Sequence, residues 1–165
     1  MSEAALRILL IEDSASDARL ITRELDRAGL AVEVVRVDGE AEFLAALSPL
    51  PDLVLSDYHL PQFDGLRALE LLRERSADVP FLIISGMIGE EMAVLAMKRG
   101  ATDYLLKDRL GRLGPAVIHA VEERKLREAR RAAEQALRAS EEQYRLLADS
   151  IPHIVWTSRD RKSVV

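Results

Sequence analysis

From Arg7 to about Val121, short and almost purely apolar runs alternate with longer amphipathic ones. Leu9-Leu10-Ile11, Leu53 to Ser56 and Phe81-Leu82-Ile83-Ile84 are too short for helices and lack polar alternation, which predicts strands buried on both faces of a parallel sheet. Val32 to Val37 interleaves polar residues, as an edge strand does, and Tyr104-Leu105-Leu106 reads as the last strand. Helices are predicted between them, over Ser16 to Ala28, Glu40 to Leu47, Leu66 to Arg73 and Glu90 to Arg99. Ser14 or Ser16 supplies the first N-cap, while Gly29, Pro49 and Gly100 are stops. Five such β-α repeats imply a doubly wound α/β sheet with helices on both faces and right-handed crossovers.

After Pro115 the pattern changes. Val117, Val121, Leu126, Ala129, Ala133, Ala136 and Ser140 recur every three or four residues among charges, predicting one extended helix. It is far longer than the average of about 12 residues and cannot bury its stripe on one small sheet. A second copy of the chain is the simplest partner. Leu137, Tyr144 and Leu147 fit a seam shifted by one residue, so a weak, switchable coiled coil is expected. The chain therefore divides into an α/β domain over 1–122, a coiled-coil linker over 123–149 and a tail over 150–165 that is too short for a domain.

Composition narrows the function classes. The 165 residues include no cysteine, which removes disulfides, thiol catalysis and zinc-thiolate sites and makes the reducing cytoplasm the expected compartment. The longest apolar stretch, Val79 to Gly89, falls short of the roughly 20 residues of a membrane helix, so no membrane partner is expected. A net charge of -5 argues against direct nucleic-acid binding, which depends on clustered Lys and Arg.

The candidate chemistry lies just after the strands. Glu12-Asp13 follow the first, Asp57 ends the third, Ser85 follows the fourth and Lys107 the fifth. In open α/β sheets ligands bind at the carboxyl edge, so four loops converge on one crevice. Crowded carboxylates repel by about 4 kcal/mol per close pair at an effective dielectric near 20, which calls for a cation. Hard oxygen donors without thiolate or imidazole favour Mg²⁺. With Lys107 opposite that ion and Ser85 donating to a third oxygen, Asp57 is placed to act as a nucleophile that takes up a phosphoryl group.

This order of acidic pair, acceptor Asp, Ser, aromatic and Lys resembles the response-regulator receiver domain of two-component signalling. The resemblance implies a flavodoxin-like five-stranded parallel sheet of order 2-1-3-4-5. It further implies that Asp13 and Asp57 ligate Mg²⁺ directly, with the backbone carbonyl of His59 as a third ligand and Glu12 acting through water. Asp57 would be the phosphoacceptor, Ser85 and Lys107 would bind phosphoryl oxygens, and Tyr104 would be the switch aromatic. The implied partner is a sensor histidine kinase or histidine phosphotransfer protein, and the chain would catalyse only its own phosphorylation and dephosphorylation. Where the family usually has Lys-Pro, often cis, Asp108 follows Lys107. Without proline a cis bond costs about 3 kcal/mol, so a trans bond is expected. Ser140 to Thr157 resembles a signalling linker and the opening of a PAS sensor domain, so 150–165 is either the start of such a domain or a disordered tail.

Rival readings fare worse on the residues. Aspartate-nucleophile phosphatases resemble Asp-x-Asp at the acceptor, whereas Tyr58-His59 follow Asp57. A flavodoxin-like cofactor binder needs a Ser, Thr and Gly-rich loop where Glu12-Asp13 stand. The Gly86 and Gly89 loop lacks the Lys-Ser/Thr of a P-loop. His119 is followed by Ala120 rather than an acid, which favours a surface histidine over a phosphohistidine.

Overall fold

The computed structural model describes residues 4–75, 78–87 and 89–162, with side chains through Ser150. Two compact units divide it, Met1–Arg124 and Lys125–Val165. In the first, β1 (Leu6–Ile11), β2 (Val32–Val37), β3 (Leu53–Asp57), β4 (Phe81–Ser85) and β5 (Asp103–Leu106) form one sheet of order β2-β1-β3-β4-β5. Every pairing is parallel. The intervening helices are α1 (Ala15–Arg27), α2 (Glu40–Ala46), α3 (Gly65–Arg75) and α4 (Glu90–Lys98). Ser14 caps α1 by accepting the Asp17 N–H, and Gly29 follows that helix at φ 75°, a left-handed conformation that glycine adopts without strain.

Side-chain alternation along the strands divides the core in two. Leu9, Ile11, Val54, Phe81 and Ile83 face α2, α3 and α4 through Phe43, Leu69, Leu72 and Ala96. Ile8, Leu10, Leu55, Leu82, Ile84 and Leu105 face the other way, onto Ile21 and Leu25 of α1 and Leu113, Val117 and Ala120. Both faces of β3 and β4 are thus covered, which is why those strands read as unbroken apolar runs.

Register sets the functional edge. Ile11 is level with Ser56, which places Glu12 beside Asp57, and Ser85 is level with Leu106, the residue before Lys107. β5 passes into a 3₁₀ segment, Lys107–Arg112, that the sequence pattern does not announce. Among the described residues Ser48–Pro49 has the only cis peptide bond, so Lys107–Asp108 is trans as expected.

The last helix, α5, runs Leu113–Lys162. Its first turns pack in the core of the α/β unit, and the Arg124 guanidinium holds the carbonyls of Pro51 and Asp52 at 3.0 and 2.9 Å. The second unit, from Lys125, is helical and exposes Leu126, Leu137, Tyr144 and Leu147. The backbone stays helical through Lys162, whereas the sequence reading ends the helix at 149 in favour of a domain start or a disordered tail. No glycine occurs after Gly114 to supply a C-terminal stop. The side chains of 151–162 lie outside the described residues.

Gly114 separates two opposing effects. Alanine is favoured over glycine in a helix by about 1 kcal/mol. A Cβ at Gly114, however, would collide with the Cβ of Ala28, and overpacking costs about 1–3 kcal/mol. Gly114→Ala is therefore expected to lower stability by about 1 kcal/mol net in urea unfolding, whereas Gly111→Ala, which faces open space, is expected to change it by less than about 0.5 kcal/mol. Equal effects of the two substitutions would show that steric contact with α1 does not decide the outcome.

Candidate functional site

The carboxyl edge gathers Glu12 and Asp13 from the end of β1 and Asp57 from the end of β3. One carboxylate oxygen of each lies within 4.8 Å of the others. Asp57 is held from several sides. Its Oδ1 accepts the His59 N–H at 3.3 Å, its Oδ2 accepts Lys107 Nζ at 2.9 Å, and its carbonyl accepts the Ser56 hydroxyl at 2.8 Å. Gly65 packs so closely here that a Cβ would stand 2.9 Å from the Asp57 carbonyl oxygen. Glu12 is fully buried, with Oε1 accepting the Ser14 N–H and Oε2 accepting Lys107 Nζ, both at 3.0 Å. Arg36 of β2 fixes the backbone of the acidic pair by donating to the carbonyls of Glu12 and Asp13 at 2.8 and 2.7 Å.

Lys107 reaches into the same cluster of acids. It lies bonded among them, to Glu12, to Asp57 and, at 2.6 Å, to Asp17 of α1. Burial alone would lower its pKa, but the hydrogen bonds it donates to Asp17, Asp57 and Glu12 outweigh burial and raise it above the ordinary lysine range. Burial likewise raises the Glu12 carboxyl, aided by repulsion from Asp57 and opposed by the Ser14 N–H and the Lys107 ammonium.

Ser85, one residue past the register partner of Asp57, meets Tyr104 at the turn after β4. The buried Ser85 hydroxyl donates to the Met87 carbonyl and accepts the Met87 N–H, both at 3.2 Å, and the Tyr104 hydroxyl reaches the same carbonyl at 3.4 Å. A serine at a strand end readily satisfies itself in its own turn. His59 is exposed, its ring edge-on to Tyr58. His119 is exposed beside Glu123. Asp17 and Arg36 were not singled out from sequence. Of these only Asp17 left a trace, as an acid in the first turn of a capped helix four residues beyond Asp13.

Three carboxylate oxygens within 4.8 Å of one another are the kind of hard donor set a small divalent cation takes. Octahedral Mg²⁺ at about 2.0–2.1 Å from its ligands places neighbouring oxygens about 3 Å and opposite ones about 4 Å apart. Among the described residues no helix is long and apolar enough to cross a membrane.

Residues 8–117 match the family model described as response regulator receiver domain. Over 106 residues the chain is 35% identical to chemotaxis protein CheY of Treponema pallidum, covering 63% of this chain and 74% of that protein. Over 105 residues it is 35% identical to the C4-dicarboxylate transport transcriptional regulatory protein DctD of Pseudomonas aeruginosa, covering 64% of this chain but 22% of that one. The match spans 22% to 42% of the length of three longer curated relatives. A response regulator receiver domain from Clostridium thermocellum superposes with a TM-score of 0.66 at 27% identity, covering 73% of this chain and 98% of that one.

The buried Glu12 carboxyl sets a pH dependence. Its folded pKa lies above the ordinary 4.5, so the folded state binds more protons than the unfolded one in the window above that value. Stability must then fall as pH rises through the window. In chelator, melts between about pH 4 and pH 7 should show the native protein losing stability relative to Glu12→Gln as pH rises. Parallel curves would mean that Glu12 is not the titrating group.

Proposed function

The chain belongs to the response regulator receiver family, and from that premise we propose that Asp57 is its phosphoacceptor. The observation that carries the reading is the Lys107 ammonium 2.9 Å from Asp57 Oδ2 inside a cluster of acids. An Asp57 oxygen attacks the phosphorus of a phosphohistidine on a sensor kinase or phosphotransfer protein. The O–P bond forms as the P–N bond breaks, and the electron pair leaves on the imidazole nitrogen. Lys107 donates to a phosphoryl oxygen and offsets its charge, which is most of what phosphoryl transfer asks of a protein.

Asp13 and Asp57 are the residues that would hold Mg²⁺ directly, with the His59 backbone carbonyl as a third ligand and Glu12 acting through water. When bound, that ion would neutralise charge on the transferring group. Both phosphorylation and its reversal take place on the chain's own Asp57, so no separate substrate is turned over.

Ser85 and Tyr104 supply the response. To donate to a phosphoryl oxygen, the Ser85 hydroxyl must give up Met87, which Tyr104 also holds. Charge-assisted bonds contribute about 1.5–3 kcal/mol each. Near-complete switching takes about 5.5 kcal/mol, and here each new bond replaces an old one, so the net bias is smaller and the switch partial. The bias reaches α5 at its root, Pro115 to Val121. Residues 123–149 then act as a linker that pairs with a second copy through Leu126, Leu137, Tyr144 and Leu147, and 150–165 resembles the opening of a PAS-type domain.

Two measurements test this reading. Acetyl phosphate with Mg²⁺ should label the native protein and fail to label Asp57→Asn, and retained labelling would move the acceptor elsewhere. Sedimentation should show a monomer-dimer equilibrium that shifts with beryllofluoride, by less than the about 10⁴-fold of a complete switch. Identical affinities with and without beryllofluoride would sever the linker from the site.

A further inference from the structure

An ammonium has three N–H donors, and at Lys107 three carboxylates take them. Two of these, Glu12 and Asp57, belong to the group spaced to hold a cation. The third does not. Asp17 lies in the first turn of α1, and at 2.6 Å its Oδ2 is the nearest of the three, against 3.0 Å for Glu12 and 2.9 Å for Asp57. Its backbone is fixed, because the Asp17 N–H donates to Ser14 Oγ while the Ser14 N–H donates to Glu12. One helix cap therefore sets both Asp17 and Glu12 against the lysine. Asp17 also lines a small cleft with Leu20, Ile21, Lys107 and Leu110, so the lysine stem and its partner share one wall.

A cation among Glu12, Asp13 and Asp57 competes for two of the lysine's partners and repels the ammonium. Asp17 is the partner left outside that competition. We infer that Asp17 is a positioning residue: it holds the Lys107 ammonium beside Asp57 while a cation occupies the other carboxylates, so that an arriving phosphoryl group meets an oriented donor. The inference rests on Asp57 being the acceptor. Asp17 touches neither the phosphorus nor the reacting oxygen and acts only through Lys107.

The test pairs Asp17→Ala, which removes the acceptor, with Asp17→Asn, which keeps an acceptor oxygen without the charge. At saturating Mg²⁺, Asp17→Ala is expected to slow maximal labelling by acetyl phosphate about tenfold, the cost of a loosely held group, with the half-saturating donor concentration changed less than about twofold. Asp17→Asn is expected to recover the native rate to within about threefold, because orientation rather than charge is restored. Native labelling by Asp17→Ala, or Asp17→Asn as slow as Asp17→Ala, overturns the inference. Circular dichroism establishes that each variant is folded at the assay temperature, and Asp17→Ser replaces Asp17→Ala if it is not. The ¹⁵N signal of the Lys107 ammonium, recorded with Mg²⁺ and no phosphoryl donor, separates this inference from the assignment of Asp57. It should be sharp in the native protein and broadened in Asp17→Ala, and an unchanged signal overturns the inference whether or not Asp57 is ever labelled.

Discussion

One ammonium ion makes the carboxyl edge of this sheet possible. Glu12, Asp13, Asp17 and Asp57 crowd a region in which Glu12 is wholly buried, and like charges at such spacing repel by several kcal/mol in the absence of a counter-charge. Lys107 reaches three of them from the far strand of the sheet. Because it starts where β5 becomes a 3₁₀ segment, its position depends on β5 being in register with β4 and β4 with β3. The same contacts tie α1 to β5, so the ion pairs fasten the edge of the fold as well as equip it.

The two-faced core keeps that edge rigid. β3 and β4 are buried on both faces, and the Asp57 carbonyl is pinned by Ser56 and crowded by Gly65 at the start of α3. Movement is left to the connections. The Met87 carbonyl takes hydroxyls from both Ser85 and Tyr104, so a change at either is felt by the other without disturbing a strand. On the proposed function, a tightly packed acceptor beside a loop held by exchangeable hydrogen bonds is the division of labour a switch needs.

Much of this was legible in the residues, for physical reasons. Apolar runs such as Phe81 to Ile84 can be little else than strands covered on both sides, and Glu12-Asp13, Asp57 and Lys107 all stand at the carboxyl ends of strands, so topology alone brings them to one edge. What escaped depends on reach and on loop conformation. Spacing along the chain does not say whether a long lysine stands across from a set of acids or threads among them. Asp17 looks like an ordinary first-turn acid that favours its helix dipole, and only the folded position of Lys107, ninety residues later, gives it a second use. The meeting of Ser85 and Tyr104 at Met87 depends on a loop path that no periodicity encodes. The 3₁₀ segment at Lys107–Arg112 was hidden because Asp108 and Gly111 read as loop residues.

The Lys107 ammonium and the Ser85 hydroxyl both have acceptors already, so on the proposed function a phosphoryl group would gain their bonds by exchange. On the proposed function, Lys107, now bonded to an Asp57 carboxylate oxygen, would move to a phosphoryl oxygen, and Ser85 would leave the Met87 carbonyl. Only the difference between old and new partners is free energy available to drive the fold. A charge-assisted bond from serine to a phosphoryl oxygen is worth about twice a neutral one to a carbonyl, so the Ser85 exchange favours the phosphorylated arrangement. The Lys107 exchange runs between two anionic acceptors and contributes less. On the proposed function the conformational signal would therefore originate mainly at Ser85, with Lys107 and its three carboxylates governing how readily the phosphoryl group arrives.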